Sequence, residues 1–240
     1  MKVFQLILVL FLTSFLGFSQ EKPMAFNNGE TMLFKFKYGF ISAGYGELKV
    51  HDEGGKFHFE ARGWSAGFFD PFFKVRDYYD SYVYADDMMP YYFTRDVEEG
   101  NYKKKQNVTF QDLKASSEKK TIDIPNNTQD LVSFFYYLRS QDLESMKKKD
   151  KLQVPIYLDD EIFEAEFTYD EDEKLRTVVG RKKCMVFSVK VMSGRVFGDS
   201  EELKVWVTKD EQKIPVKLKA DIAVGSIKMI LDEYTAGIFE

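Results

Sequence analysis

Apolar and polar residues alternate with a period of two along most of the chain. Phe34, Phe36 and Tyr38 alternate with lysines, and Leu48 and Val50 alternate with charged residues. This period places successive side chains on opposite faces of a β-strand, and it is typical of antiparallel sheets that have one face in water. The pattern predicts about ten to thirteen strands, most of them joined by short hairpins.

One hairpin can be predicted residue by residue. Two alternating segments, residues 47–51 and 57–62, are joined by a turn-rich connection at residues 52–56. A register that places His51 opposite His58 brings opposite charges together on one face and apolar side chains on the other. The further pairs that this register predicts are Lys49 with Glu60, Glu47 with Arg62, Val50 with Phe59 and Leu48 with Ala61.

One segment has the period of a helix instead. Four apolar residues follow the i, i+3, i+4, i+7 spacing: Leu131, Phe134, Phe135 and Leu138. They predict a helix over residues 129–143, with Thr128 as its N-cap and the apolar stripe buried against the concave face of the sheet. The predicted fold class is therefore mainly β, a curved antiparallel sheet or open β-barrel with one packed α-helix. The residues predicted for its core are Phe34, Phe36, Phe59, Val205, Val216, Ile227 and Leu231.

The first 19 residues have the pattern of an export signal. An apolar stretch, Phe4–Leu16, precedes the small residues Gly17 and Ser19, after which a signal peptidase could cleave. The stretch is shorter than the roughly 20 residues that span a bilayer. We expect residues 1–19 to be a signal peptide and residues 20–240 to be one exported β-rich domain without a transmembrane span. We expect it in the periplasm or at the outer-membrane periphery, and not as a lipoprotein, because no cysteine lies near the cleavage point.

Charge and cysteine content argue against several classes of function. The chain has 34 basic and 39 acidic residues, so we do not expect it to bind nucleic acid, whose phosphates need neutralising. Cys184 is the sole cysteine, which excludes an intramolecular disulfide, and we expect it to be packed rather than catalytic. The sequence has no glycine-rich phosphate loop, and no cofactor is predicted.

The two histidines face each other on the charged side of the predicted hairpin. Two imidazoles could hold a metal ion, but a metal site normally needs three or four ligands. Asp52 and Glu53 could complete such a site only from the turn. We therefore predict that His51 and His58 are exposed and bind no metal. The absence of any other histidine argues against a Ser-His-Asp triad, and no catalytic residue is predicted.

The most unusual segment is aromatic. Twelve of the thirty residues from Trp64 to Phe93 are Phe, Tyr or Trp. Pro71 prevents a regular strand in its middle, which favours a short turn or helical piece that closes one end of the sheet. Such a segment either fills the core or forms an apolar pocket for a ligand. The candidate ligand-binding residues are Trp64, Phe68, Phe69, Phe72 and Phe73, with Phe134 and Tyr137 of the helix.

Three charged residues adjoin the aromatic segment and form a candidate polar site: Arg76, Asp77 and Asp80. Charged groups among so many aromatic residues are either a hydrogen-bonded structural pair or a functional site. In the structural interpretation, Arg76 and Asp77 satisfy each other or nearby backbone groups.

Four segments together resemble the DUF3108 family of exported bacterial proteins of unknown function. They are residues 38–44, 73–81, 130–139 and 206–216. The resemblance spans most of the chain after the leader, and it implies export and a single β-rich unit but no mechanism. A looser likeness, in architecture only, is to periplasmic lipoprotein carriers, whose curved sheet holds acyl chains beneath a helix.

Three functions stay open at this level. The leading hypothesis is a non-enzymatic binder or carrier of an apolar or amphipathic small molecule such as a lipid. The alternatives are an envelope scaffold that binds other proteins, and a polysaccharide-acting enzyme with acidic residues in a cleft. A filled core with an exposed aromatic patch would favour the scaffold. Carboxylates converging in a pocket, one with a raised pKa, would favour the enzyme.

Overall fold

The computed structural model describes residues 24–192, 203–221 and 225–238, so the predicted signal peptide lies outside the described residues. The strands of the first half are β1 (Asn28–Tyr38), β2 (Ile41–Asp52), β3 (Lys56–Ser65), β4 (Val75–Tyr84), β5 (Pro90–Glu99), β6 (Tyr102–Gln111), β7 (Lys114–Ser117) and β8 (Thr121–Asp123). After the helix α1 (Ser133–Ser140) follow β9 (Lys151–Leu158), β10 (Glu161–Thr177), β11 (Gly180–Met192), β12 (Leu203–Thr208), β13 (Pro215–Asp221) and β14 (Ser226–Ile238).

The strands form one antiparallel sheet in which sequence neighbours are also spatial neighbours. The one exception is the pairing of β1 with β14, which makes β8 and β9 the two edges of the 14-stranded sheet. The edges are not joined into a closed barrel, but side chains connect the β9 end of the sheet to β5 and β6. Asp159, in the turn after β9, forms ion pairs with Arg95 of β5 and Lys104 of β6. The predicted fold class is confirmed, and the predicted number of strands was slightly too low.

The predicted hairpin register is confirmed at every pair. β2 and β3 place His51 opposite His58, Lys49 opposite Glu60 and Val50 opposite Phe59, as well as the two remaining predicted pairs. Ion pairs nevertheless form along each strand, from Lys49 to Glu47 and from Arg62 to Glu60, each at 2.9 Å. Residues two apart in a strand share a face, so these contacts need no change of register.

The helix is shorter than predicted and begins later, at Ser133. Gln129 cannot be helical because its backbone forms a parallel bridge with β9, donating to the carbonyl of Pro155 at 2.9 Å. Asp130 takes the capping role that was predicted for Thr128. Its Oδ1 accepts hydrogen bonds from the backbone N–H groups of Val132 and Ser133, at 2.8 and 2.9 Å.

The most deeply buried face of α1 is not the predicted apolar stripe. Tyr136 and Arg139 are buried, whereas Phe134, Phe135 and Leu138 are only half-buried. The Tyr136 ring stacks on that of Phe59 at 3.9 Å between centroids. Arg139 donates to both carboxylate oxygens of Glu30 on β1, at 2.5 and 2.8 Å. The helix is therefore fixed in the concave side of the sheet by a buried ion pair and an aromatic stack.

Most of the predicted core residues are buried. Phe34, Phe59, Val205, Val216 and Leu231 are buried, and Phe36 is half-buried. The prediction was wrong for Ile227, which is 42% exposed because it lies at the start of β14, at an open end of the sheet. Cys184 is buried, as predicted, and burial raises the pKa of its thiol to about 11.

Candidate functional site

A groove opens at the end of the sheet where β1 ends and β14 begins. The β1–β2, β3–β4 and β5–β6 connections share this end, because Gly44 pairs with Ser65, Val75 with Glu99 and Tyr38 with Ile227. We call this end of the molecule the tip and the groove the tip groove. Its volume is about 330 Å³. The residues that line it include Phe36, Phe69, Phe73, Val75, Asp77 and Ile227, and Trp64 contributes its backbone.

Glycines on the concave face leave the space for this groove. A Cβ atom at Gly46 would lie only 2.9 Å from the ring of Phe36, so the absence of a side chain lets that ring lie over β2. A Cβ atom at Gly44 would lie 2.2 Å from the carbonyl oxygen of Trp64. Gly44 therefore permits a close approach of β3 that no other residue allows.

The wall of the groove is the loop Ala66–Lys74, which we call the aromatic loop. The backbone N–H groups of Phe72 and Phe73 both donate to the carbonyl of Phe69, at 3.0 and 2.8 Å, which gives one turn of helical character. Arg76 at the start of β4 donates to both carboxylate oxygens of Asp70, at 2.8 and 3.2 Å. The predicted short turn is confirmed, and the ion pair fixes it against the sheet.

The candidate aromatic residues divide among several locations. Phe69 and Phe73 line the tip groove, whereas the ring of Trp64 stacks on that of Tyr45 at 5.9 Å, on the opposite face of the sheet. Phe68 and Phe72 belong to the same loop but are directed to solvent, with 67% and 75% of their surface exposed. The two helical candidates lie elsewhere, because Phe134 lines a second cavity and Tyr137 packs against the main hydrophobic core.

The second cavity, which we call the helix cavity, lies between α1 and strands β9–β13. Its volume is about 220 Å³, and its lining is almost entirely apolar. The half-buried stripe of α1 forms one wall, which explains why that stripe is not fully buried. The lining residues include Phe134, Leu138, Phe167, Val189, Val205 and Leu218.

Asp77 is the carboxyl group that lines the tip groove. It is buried, and its Oδ1 accepts a hydrogen bond from the backbone N–H of Glu98 at 3.2 Å. Burial raises the pKa of Asp77 to about 6, and the negative charge of Glu99 adds to the effect. Around neutral pH this carboxyl group can therefore take up or release a proton, and it can bind a hydrogen-bond donor or a cation.

Arg76, Asp77 and Asp80 do not form one polar site. Consecutive strand residues point to opposite faces, so Arg76 and Asp77 do not pair with each other; each is bonded to nearby backbone groups, the second possibility that was predicted. Arg76 instead holds Asp70 of the aromatic loop. Asp80 lies on the outer face with its Oδ1 2.8 Å from Nε2 of His58.

The histidine pair lies on the outer face of the sheet. The rings of His51 and His58 are 5.3 Å apart and nearly parallel, and the Tyr82 ring covers His58 at 4.3 Å. Both histidines are consequently half-buried rather than exposed as predicted. Together with Glu60 they bring three ligand atoms within 4.8 Å of one another. A cation there would have to replace the existing contacts of His51 with Glu60 and of His58 with Asp80.

Comparisons with known proteins agree on family and fold. The DUF3108 family, described as "Protein of unknown function", matches residues 33–232. A solved β-barrel-like protein of domain family DUF1849 from Brucella abortus aligns with a TM-score of 0.64 and 10% identity, over 89% of this chain and 99% of that one. No curated protein matched the sequence. Among the residues that the structure describes, no helix is sufficiently long and apolar to cross a membrane.

Two weaker structural matches carry no argument. A DUF1089 family protein from Pseudomonas aeruginosa has a TM-score of 0.45 and 11% identity, over 75% of this chain and 90% of that one. A candidate lipoprotein from Parabacteroides distasonis has a TM-score of 0.38 and 11% identity, over 90% of this chain and 100% of that one.

Proposed function

Because this chain belongs to the DUF3108 family, whose function is unknown, we propose its function from the geometry of the tip groove. The protein is an exported, non-enzymatic binder or carrier of an amphipathic small molecule. The observation that carries this proposal is an open aromatic groove of about 330 Å³ with one buried carboxyl group, Asp77, in its lining. Ligand pockets have this composition: an apolar lining with few polar groups that orient the ligand.

The apolar lining favours an alkyl or similarly apolar portion of the ligand. Phe36, Phe69 and Phe73 offer aromatic faces to it, and the volume is at the lower end of the range for ligand pockets, roughly 300–1,000 Å³. Each methylene group removed from water contributes about 0.8 kcal/mol, which is about a fourfold gain in affinity. Affinity should therefore rise steeply with chain length until the groove is full.

Asp77 favours a ligand whose polar group donates hydrogen bonds. Its carboxylate form attracts an ammonium or hydroxyl group, and it repels a carboxylate or phosphate that lies close to it. A primary amine or alcohol joined to an apolar chain satisfies both parts of the groove. The ligand class is therefore an amphipathic molecule with a donor at its polar end.

Asp77 is also the observation that favours the enzyme alternative, since it is a pocket carboxyl with a raised pKa. Hydrolysis of a glycosidic bond needs two carboxyl groups that flank the bond, about 5 to 9.5 Å apart. In the part of the chain that the structure describes, Asp77 is the one carboxylate that lines the tip groove, and its neighbour Glu99 lies within hydrogen-bond reach of it, which is closer than that separation. Binding without hydrolysis is therefore the better supported function.

Native mass spectrometry with lipid extraction, on protein purified from its own periplasm, tests the proposal first. An amphipathic ligand at near one-to-one stoichiometry is the expected result. A titration with straight-chain primary amines and alcohols follows, monitored by isothermal titration calorimetry. A clean ligand-free mass and no saturable binding in the titration would together refute the function.

A pair of cavity-filling variants assigns the site. Gly63→Leu should abolish binding, because a Cβ atom there meets Asp77 at an ordinary contact distance of 3.7 Å and the rest of the side chain fills the tip groove. Leu218→Phe, in the helix cavity, is the matched control and should leave binding unchanged. If Leu218→Phe abolished binding and Gly63→Leu did not, the ligand site would be the helix cavity instead.

A further inference from the structure

Exposed apolar side chains are concentrated at the tip. Of the twelve large apolar side chains that are exposed in the described residues, seven belong to the four segments that meet there. These segments are the β1–β2 turn with the first residue of β2, the aromatic loop, the first residue of β6 and the start of β14. The most exposed are Phe40, which is fully exposed, and Phe68 and Phe72 of the aromatic loop. Contiguous exposed apolar surface on a soluble domain marks an interaction site.

The loops hold these side chains outward. Phe40 follows Gly39 in a tight turn, and the backbone N–H of Gly39 donates to the carbonyl of Ser226 at 3.2 Å, which ties the turn to β14. The ion pair of Arg76 with Asp70 fixes the aromatic loop, and the Ser65 hydroxyl also donates to Asp70, at 2.7 Å. Phe40, Phe68 and Phe72 thus project from anchored segments rather than from a free tail.

A row of four lysines crosses the outer face beside the tip. Lys37 of β1 lies opposite Lys228 of β14, which lies opposite Lys219 of β13, which lies opposite Lys204 of β12. Side chains at directly opposed positions share a face, and like charges placed in this way destabilise a sheet. Lys37, at the β1 end of the row, lies three residues before Phe40 in the chain. It is basic although the chain as a whole has a net charge of −5.

Some cations at the tip form no ion pair with the described residues, although Lys204 of the row has a contact of its own. Within the described residues, neither Lys37 nor Lys228 forms an ion pair, and neither does Lys74 at the end of the aromatic loop. Lys219 pairs with Asp221 at 2.7 Å. The tip therefore combines protruding phenylalanines with unpaired positive charge on its flank.

We propose that the tip docks on the surface of a bilayer that contains anionic lipid. Phe40, Phe68 and Phe72 enter the boundary between headgroups and acyl chains, and the lysine row lies against the lipid phosphates. Protruding aromatic side chains beside lysines are the composition by which proteins bind a membrane interface. The tip groove opens among the same loops, so a docked protein would present the groove to the bilayer. Docking itself does not depend on the proposed ligand function.

Vesicle flotation of the purified protein tests this inference. We expect binding to vesicles of phosphatidylethanolamine and phosphatidylglycerol, and much weaker binding to vesicles of phosphatidylcholine alone. The double variant Phe40→Ser/Phe72→Ser should reduce binding at least about tenfold. The matched control is Leu113→Ser/Val178→Ser, which removes two exposed apolar side chains from turns at the opposite end of the sheet and should change nothing.

The charge contribution is measured with Lys37→Gln/Lys228→Gln. This variant should bind the anionic vesicles several-fold more weakly and lose most of the dependence on salt. Phe40, Phe72, Lys37 and Lys228 are all exposed or half-buried, so we expect both double variants to keep the native fold, as measured by circular dichroism. Wild-type protein that stays unbound with both vesicle types would overturn the inference, and so would an equal loss in the Phe40/Phe72 and Leu113/Val178 variants.

The ligand function and the docking surface can fail separately. Gly63→Leu fills the tip groove without altering Phe40, Phe72 or the lysines, so it should bind vesicles like the wild type. Vesicle binding that persists in a protein with no ligand affinity would retain the docking surface and refute the carrier.

Discussion

The tip groove and the helix cavity are both lined by aromatic and aliphatic side chains, yet the two regions are built differently. The helix cavity lies between a helix and strands whose side chains form continuous core, and the buried pair Arg139–Glu30 secures that helix. The tip groove lies between surface loops, and the half-exposed pair Arg76–Asp70 secures its wall. The same residue types therefore stabilise the fold in one region and form an accessible surface in the other.

The two regions differ in how much their ion pairs contribute to the free energy of unfolding. An exposed pair contributes little to stability because water and salt screen it. A buried pair is strongly destabilising to break, since the remaining charge has no partner. Substitutions in the helix region should therefore change the free energy of unfolding, and substitutions at the tip should change binding with little effect on stability.

The largest expected effect is on the buried pair. Arg139→Met leaves the Glu30 carboxylate buried without its partner and removes the bonds that Arg139 donates to the carbonyls of Ala25 and Gln212. We expect a loss of about 3–5 kcal/mol in the free energy of unfolding, measured by urea denaturation. The surface control Arg62→Met breaks the pair with Glu60 and should cost less than about 1 kcal/mol. Equal losses in the two variants would contradict the contrast between the regions.

Smaller effects are expected when one phenylalanine from each cavity is replaced by alanine. Phe134→Ala removes a ring that packs on Phe167 at 5.5 Å, and because Phe134 is half-buried we expect a loss of about 2 kcal/mol. Phe73→Ala removes a ring that is 53% exposed, and it should cost about 1 kcal/mol or less while weakening ligand binding. Urea denaturation and ligand titration on both variants measure the two quantities. A Phe73→Ala variant that unfolds more easily than Phe134→Ala would show that the aromatic loop is core.

Periodicity predicted the local parts of this fold because they depend on neighbouring residues alone. The register of β2 and β3 follows from alternation and charge pairing, and it was correct at each pair. The start of the helix depends on a contact that alternation does not report, the bridge between Gln129 and Ile156. The pairing of Arg139 with Glu30 joins positions 109 residues apart, and no sequence pattern indicates it.

Part of the site could have been predicted more sharply. The period of two that was used for the strands already places Arg76 and Asp77 on opposite faces, which excludes their pairing. Gly44 and Gly46 alternate with Tyr45 in β2, and they therefore mark a strip of the concave face without side chains. The division of the aromatic residues between groove and solvent depends on the pair of Arg76 with Asp70, which only the folded loop reveals.

The last expected effect concerns pH and distinguishes the groove from a packed core. The folded-state pKa of Asp77 is raised to about 6 from 3.8, so between these values the folded state binds more protons than the unfolded state. The contribution of Asp77 to the free energy of unfolding is therefore fully present below about pH 4, and it is lost as the pH rises through 6. Asp77→Asn mimics the protonated form, and it should be more stable than the wild type above pH 7 and equal to it below pH 4. The same variant should bind primary amines more weakly above pH 7, because the groove has lost its negative charge. Urea denaturation and amine titration across this range test both effects, and a stability difference that does not change with pH would show that Asp77 does not titrate within the groove.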